Sequence, residues 1–333
     1  MPIVEGYAHR TGEHCASTAL RNLMAFRGTE LSEGMVFGLA SGLGFYYLEA
    51  DGISPTRMFH GRTATLESDF GSNTGIGMVD RPEDDDARAW QLLREHIDHG
   101  EPVMLSTDTF YLGYHNTTSH FPGHRCVVVG YDDETEEVWI ADRKYDTYQR
   151  CGYEELRAAR NARDYPISCQ NQWGDFRDAK PLTDLPGAIR RALRKNAHAM
   201  LDPHEALPAG IPAMRRLARA LPDWSDATDW SWAARFGYQI ILKRGAAGSF
   251  FRALYFEFLR EAEGFCPGLG EHGLVPAIET IVTQWQELAV PLKEQSERET
   301  CDPGLFREAG AQVARLADAE QAFFERVLRA TAA

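Results

Sequence analysis

Gly123-His124-Arg125-Cys126-Val127-Val128-Val129-Gly130-Tyr131-Asp132, followed after a polar interval by Val138-Trp139-Ile140-Ala141-Asp142, reads as a β-hairpin. Val127 to Val129 and Val138 to Ile140 are β-branched or aromatic runs, and Asp132-Asp133-Glu134-Thr135-Glu136-Glu137 supplies the turn between them. Opposing Val128 to Val138 gives a pair sum of 266, which sets His124 directly across from Asp142. Directly opposed residues share a sheet face with Cβ atoms about 4.5–5.5 Å apart, so the carboxylate would accept the imidazole N–H and fix its tautomer. A slip of one residue would put the two side chains on opposite faces.

A second stretch, Gly12-Glu13-His14-Cys15-Ala16-Ser17-Thr18-Ala19-Leu20, offers a nucleophile. Ala16, Ala19, Leu20, Leu23 and Met24 recur at helical spacing, and Gly28 stands where a C-cap glycine belongs. Cys15 therefore opens a helix. There the thiolate meets the positive end of the helix dipole, and beside an imidazolium a thiol pKa falls to roughly 3.5–7.5. The amides of the first helical turn, which have no carbonyl partner inside the helix, can hold an oxyanion. The other cysteines (126, 151, 169, 266 and 301) form no CxxC pair, which argues against a disulfide framework or a tetrahedral zinc site. They read as reduced thiols, with Cys126 packing in the sheet.

The chain has eleven histidines, and several are alternatives to His124. His14 adjoins Cys15, but neighbours at a helix start diverge in direction, so it reads as a wall of the site. His115 and His120 lie in the loop from Asp108 and are the alternatives for base or substrate contact. No HxxxH or HExxH spacing falls on a helical pattern, and no metal is expected.

The 333 residues predict about two domains. With 49 acidic against 35 basic residues the formal charge is −14, which disfavours nucleic acid and would attract a cationic substrate. No apolar run approaches the 18 or more residues that span a bilayer, and no signal-peptide pattern opens the chain, so a cytoplasmic protein without membrane contact is expected. A short helix over Leu31 to Leu39, a strand entered through Gly42-Leu43-Gly44, a helix from about Glu83 to Ile97 and a strand over Pro102 to Thr107 fill the first part. From about Pro181 the texture is helical. Phe251, Leu254, Tyr255, Phe258, Leu259 and Ala262 form an amphipathic stripe, as do Ile278 to Trp285 and Val313 to Leu328, while Asp223 to Trp232 reads as a connector. The expectation is an α+β chain with an antiparallel catalytic domain over 1–180 and an α-helical domain over 181–333. That second domain, with its glycine-flanked loop at Gly245 to Gly248, is expected to serve as lid, carrier-docking surface or substrate-binding part.

The segments around Cys15, Leu31 to Gly38, Gly42 to Phe45, Gly61-Arg62, Asp108 to His115 and the His124 hairpin resemble the N-terminal domain of the butirosin biosynthesis protein H family. Gly248 to Tyr255 and Phe258 to Ala262 resemble the helical domain that commonly follows it. The resemblance implies a papain-like or bacteriocin-peptidase-like cysteine-enzyme fold. It also implies an acyltransferase of antibiotic or other natural-product biosynthesis, carrying an acyl group from a carrier-protein or CoA thioester to a small-molecule amine or alcohol. Cys15 would be the acyl acceptor, His124 the base and Asp142 its orienter, with substrate contacts from His14, Glu33, Tyr111, Tyr114 and His115. No cofactor is expected beyond the phosphopantetheine that carries the donor. His9 stands near the place where papain-like enzymes keep an oxyanion-holding Gln. Peptide or amide hydrolysis, and release by intramolecular cyclisation, are the alternatives the same site would allow.

Overall fold

Helix α1 (Cys15–Phe26) opens the computed structural model's first unit, and its end shows why it stops. Gly28 takes φ +81°, its N–H bonds Ala25 O at 2.9 Å, and the Thr29 N–H bonds Met24 O at 2.9 Å. This pair of bonds is a Schellman motif, which only a residue tolerant of the left-handed region closes without strain. The residues described are 3–163, 168–176, 181–204 and 208–332.

After α1 come α2 (Glu33–Leu39), β1 (Leu43–Glu49), β2 (Arg57–Arg62), α3 (Leu66–Thr74), β3 (Val79–Arg81), α4 (Asp86–Asp98) and β4 (Val103–Thr107). Two 3₁₀ turns, Thr109–Tyr111 and Gly113–His115, lead into β5 (His124–Asp132), β6 (Glu137–Ala141), β7 (Gln149–Gly152), α5 (Tyr153–Arg160) and β8 (Trp173–Asp175). Helices α6 (Leu185–Leu201), α7 (Gly210–Ala220), α8 (Trp230–Leu242), α9 (Arg252–Phe265), α10 (Leu274–Ser296) and α11 (Pro303–Ala330) follow. The fold is mixed α+β, and none of the described helices is long and apolar enough to cross a membrane.

The chain divides into two compact units, one of Met1–Val36 with Phe70–Thr183 and one of Phe37–Asp69 with Asp184–Ala333. In the first, six antiparallel strands lie in the order β3-β8-β4-β5-β6-β7. β4 is buried throughout and β5 is buried from Cys126 to Tyr131, so the central strands are covered on both faces. Their apolar runs therefore show no polar alternation. Helices α1 and α4 pack against β5, and α5 packs against β4.

The hairpin forms in a different register from the one expected. Val128 faces Ile140 and Val127 faces Ala141, two residues away from the pairing with Val138. The turn is tighter than the polar run suggests, because Asp132 already pairs with Glu137, and a bulge between Val128 and Gly130 adds one residue to β5. Continued past Ala141, this register sets Asp142 level with Cys126, so His124 and Asp142 are diagonal neighbours on one face. The shift is even, and an even shift preserves the face.

The second unit corrects the expected boundary at residue 180 in one respect, since Phe37–Asp69 belongs with the helices. The reason is a buried guanidinium. Arg252 Nε and Nη2 each donate to Glu320 at 2.8 Å, and Nη1 donates to Gly61 O at 2.8 Å, Phe250 O at 2.9 Å and Gly44 O at 3.4 Å. Gly44 and Gly61 lie on the antiparallel pair β1–β2, which is thereby tied to α9 and α11. Trp285 Nε1 adds a bond to Glu320 at 2.6 Å, and the guanidinium lies 5.0 Å from the ring centroids of both Phe250 and Trp285. The aromatic stripe is core: Phe251, Leu254, Tyr255, Phe258, Leu259 and Ala262 are all buried. Trp224, in the expected connector, sits in a 3₁₀ turn over Leu221–Asp226, buried against Tyr47 and Phe59.

Breaking a buried ion pair from one side strands the other charge, at a cost of about 3–5 kcal/mol. Arg252→Met is expected to lower stability by that amount, read as a shift of the urea midpoint followed by tryptophan fluorescence. A shift below about 1 kcal/mol would show that the ion pair does not hold this unit together.

Candidate active site

Cys15 sits at the first position of α1, and the loop before it is held by one carboxylate. Glu33 Oε2 accepts the Glu13 N–H at 2.9 Å, while Oε1 accepts the His14 N–H at 2.8 Å, Ser17 Oγ at 2.8 Å and Thr18 Oγ1 at 3.0 Å. Arg21 adds an ion pair to Glu33 at 3.8 Å, and its Nη2 also donates to Arg10 O and Thr11 O. An acid at a helix N-terminus satisfies donors that the helix cannot. Gly12 passes so close that an added Cβ would stand 2.2 Å from Thr18 Oγ1 and 2.4 Å from Glu33 Oε2. Glu33, expected to contact substrate, caps and shapes the cysteine loop.

His14 is the N-cap residue, extended at φ −126°, and its Nδ1 accepts the Ser17 N–H at 3.4 Å. It is buried beside Cys15 and helps to lower the thiol's pKa. His9, the residue near the expected oxyanion position, has both ring nitrogens engaged, Nε2 with Tyr145 O at 2.8 Å and Nδ1 with Asn22 Nδ2 at 3.4 Å.

The other side of the site is built on Asp142, just past β6. Its Oδ2 accepts His124 Nε2 at 2.8 Å, Tyr114 Oη at 2.9 Å and His115 Nε2 at 3.0 Å. Its Oδ1 is buried with no hydrogen-bond partner among the described residues. Tyr114 and His115 are therefore brought onto the carboxylate, which their sequence positions did not indicate. Tyr111 lies in the preceding 3₁₀ turn, edge-on to Phe110 and His120. A backbone bond joins the two sides: the Gly12 N–H donates to Arg143 O at 2.8 Å, and Arg143 Nη1 returns a bond to Glu13 O at 2.8 Å.

Charge runs through the three residues in alternation. Burial pulls the His124 imidazole down, yet the charge and hydrogen bond of Asp142, and then Cys15, outweigh it and raise it to about 10. Burial pushes the Cys15 thiol up, and here His14 and His124 prevail, holding it well below the usual thiol range. Burial likewise pushes Asp142 up, but His124 and His115 together hold it well below the usual carboxylate range. The result is a carboxylate, an imidazolium and a thiolate in series. Every other cysteine moves the opposite way: burial raises Cys126, Cys151, Cys169, Cys266 and Cys301.

Histidine–aspartate pairing alone does not mark this place. His96 meets Asp175 at 2.9 Å and His120 meets Asp108 at 2.7 Å. At Asp142 the paired imidazole is itself hydrogen-bonded to a cysteine thiol, which it holds low. His115, His124 and Asp142 offer atoms within 4.8 Å of one another, a grouping that could hold a metal ion. Their contacts with Oδ2, at 2.8 and 3.0 Å, are those of direct hydrogen bonds, shorter than the roughly 3.4 Å between ligands of a tetrahedral ion with bonds of about 2.1 Å.

An α+β protein with a buried thiol, imidazole and carboxylate in series is thus defined. Residues 14–143 match the family described as butirosin biosynthesis protein H, N-terminal, and residues 154–327 match a domain of unknown function (DUF4872). The chain thus carries both domains and belongs, through the second, which covers more than half of it, to the DUF4872 family; the first is linked to biosynthesis of the antibiotic butirosin. Among curated proteins nothing matches the chain.

The coupled pair fixes a pH signature. The thiolate is present above the depressed Cys15 pKa, and its imidazolium partner persists until pH passes about 10. Iodoacetamide at pH 7 is therefore expected to alkylate Cys15 before the other five cysteines, with a rate that stays flat as pH rises from neutrality. Asp142→Asn removes the charge that raises His124, so the upper end of that plateau should move to lower pH. Peptide mapping that finds another cysteine labelled first would overturn the assignment.

Proposed function

We propose that the chain is a cysteine-dependent acyltransferase of natural-product biosynthesis. The observation that carries this reading is Cys15, held as a thiolate at a helix start beside an imidazolium that Asp142 orients. A cysteine opening a helix and a histidine on a neighbouring strand are similar to the arrangement of papain-like and bacteriocin-processing cysteine peptidases. That likeness supports nucleophilic chemistry, and the family's link to antibiotic biosynthesis favours transfer over proteolysis.

In the first half-reaction the Cys15 thiolate attacks the carbonyl carbon of an acyl thioester on a carrier protein or on CoA. The bond to the phosphopantetheine sulfur breaks, and that sulfur leaves with the proton of His124. Exchange of one thioester for another is nearly isoenergetic. In the second half-reaction neutral His124 takes a proton from an amine or hydroxyl acceptor as it attacks the acyl-enzyme, which restores the thiolate and imidazolium. The Cys15 and Ala16 amides, in the first turn of α1, are the donors we assign to the oxyanion. The negative charge of the chain suits a cationic acceptor.

Incubation with an acyl-pantetheine thioester should add one acyl mass to the protein, seen by intact mass spectrometry, and an added amine should discharge it as amide. Cys15→Ala is expected to abolish both events. If that variant still acylates and turns over, the nucleophile is elsewhere. If the wild-type protein takes no acyl group and instead cleaves peptides, the transfer reading falls.

A further inference from the structure

Asp142 Oδ2 receives two imidazoles where a thiol–imidazole pair needs one. His124 Nε2 and His115 Nε2 both bond it, and the two rings stand perpendicular, at 89°, with centroids 5.1 Å apart. His124 is coupled on its other side to the Cys15 thiol. His115 has the same attachment to the carboxylate, so its Nδ1 is the nitrogen left to exchange a proton. Its side chain keeps 9% exposure against 5% for His124 and none for Asp142. One carboxylate thus orients two imidazoles, one of them committed to sulfur.

Transfer to an amine has two protons to place. A basic alkylamine, with a pKa near the roughly 10.4 of a lysine side chain, arrives at neutral pH as an ammonium ion that cannot attack. One proton must leave before attack and a second during it, and His124 can accept only one. We propose that His115 is a second base, reserved for the acceptor, which takes the ammonium proton on Nδ1 while Asp142 holds its Nε2–H. This rests on the acyl-transfer reading above.

The protons and charges balance. The ammonium gives one proton to His115, and the neutral amine attacks the acyl carbon. The C–N bond forms and the C–S bond breaks with its electron pair on Cys15. The second proton passes to His124, leaving an amide, the thiolate and two imidazolium ions, one of which returns its proton to solvent as the product departs.

The experiment compares two acceptors on one preformed acyl-enzyme. Hydroxylamine is neutral at pH 7 and requires no prior deprotonation, whereas a basic alkylamine does. His115→Gln keeps an N–H donor near the Nε2 position and removes the basic nitrogen, and His115→Phe removes both. General-base catalysis contributes roughly 10²–10⁴-fold. In His115→Gln the ratio of alkylamine to hydroxylamine discharge rates is expected to fall by about 10²-fold or more, while acyl-enzyme formation falls by less than about tenfold. The ratio is read within each variant, so partial misfolding does not move it. An unchanged ratio in both variants would overturn the proposal and leave His115 a positioning residue. A wild-type enzyme that forms no acyl-enzyme would overturn the transfer reading itself, an outcome distinguishable from the first.

Discussion

The loading of a single oxygen, Asp142 Oδ2, sets the character of the first unit's polar core. Three donors meet there within 2.8–3.0 Å, from Tyr114, His115 and His124, while Oδ1 has no partner among the described residues. A carboxylate with no exposure would ordinarily take up a proton, because desolvation disfavours its charge. Here the donors and the adjacent imidazolium reverse that preference. Concentrating them on one oxygen fixes the carboxylate rotamer and with it the His124 tautomer, since Nε2 must carry the hydrogen. The orphaned Oδ1 costs about 1–3 kcal/mol, so the arrangement stands only because its surroundings hold it in place.

Those surroundings belong to two chain segments that meet at a backbone bond. The cysteine loop is shaped by Glu33, whose four accepted hydrogen bonds leave it little freedom, and the carboxylate follows the end of β6. Gly12 N–H to Arg143 O joins the loop before the thiol to the residue after the carboxylate. The separation of Cys15 from Asp142 therefore does not depend on sheet register alone. A residue at position 12 with a side chain would enter the space of Thr18 and Glu33 and disturb both.

What the sequence made legible follows the range of the forces involved. The start of α1, its glycine stop and the two strands of the hairpin are governed by residues within a few positions of one another, and each was readable. Sheet face was also readable, because the period of two is robust to an even shift. The register was not, since a bulge at Val129 and a shortened turn depend on how β5 and β6 pack. Nor could spacing reveal that Glu33 caps the cysteine loop, that Tyr114 and His115 turn onto Asp142, or that β1 and β2 belong with helices some two hundred residues later. Each rests on a contact between residues distant in sequence, and a single chain carries no local signal for it.

The two buried charge networks differ in a way that bears on function. Around Arg252 the guanidinium is matched by Glu320, three carbonyls and two aromatic faces, and Glu320 is further bonded by Trp285. That network is closed, so its charges stabilise and have nothing left to react with. Around Asp142 the chain of charge ends at a thiolate and leaves one oxygen unmatched. An open network of this kind is poorly explained by stability, because apolar residues in its place would avoid the desolvation of three ionised groups. The proposed acyl transfer would account for it, since a sulfur kept ionised in a buried setting would be a nucleophile ready before any substrate arrives. Closure marks the framework of the second unit, and the unfinished end of the other network falls on the atom we propose as the nucleophile.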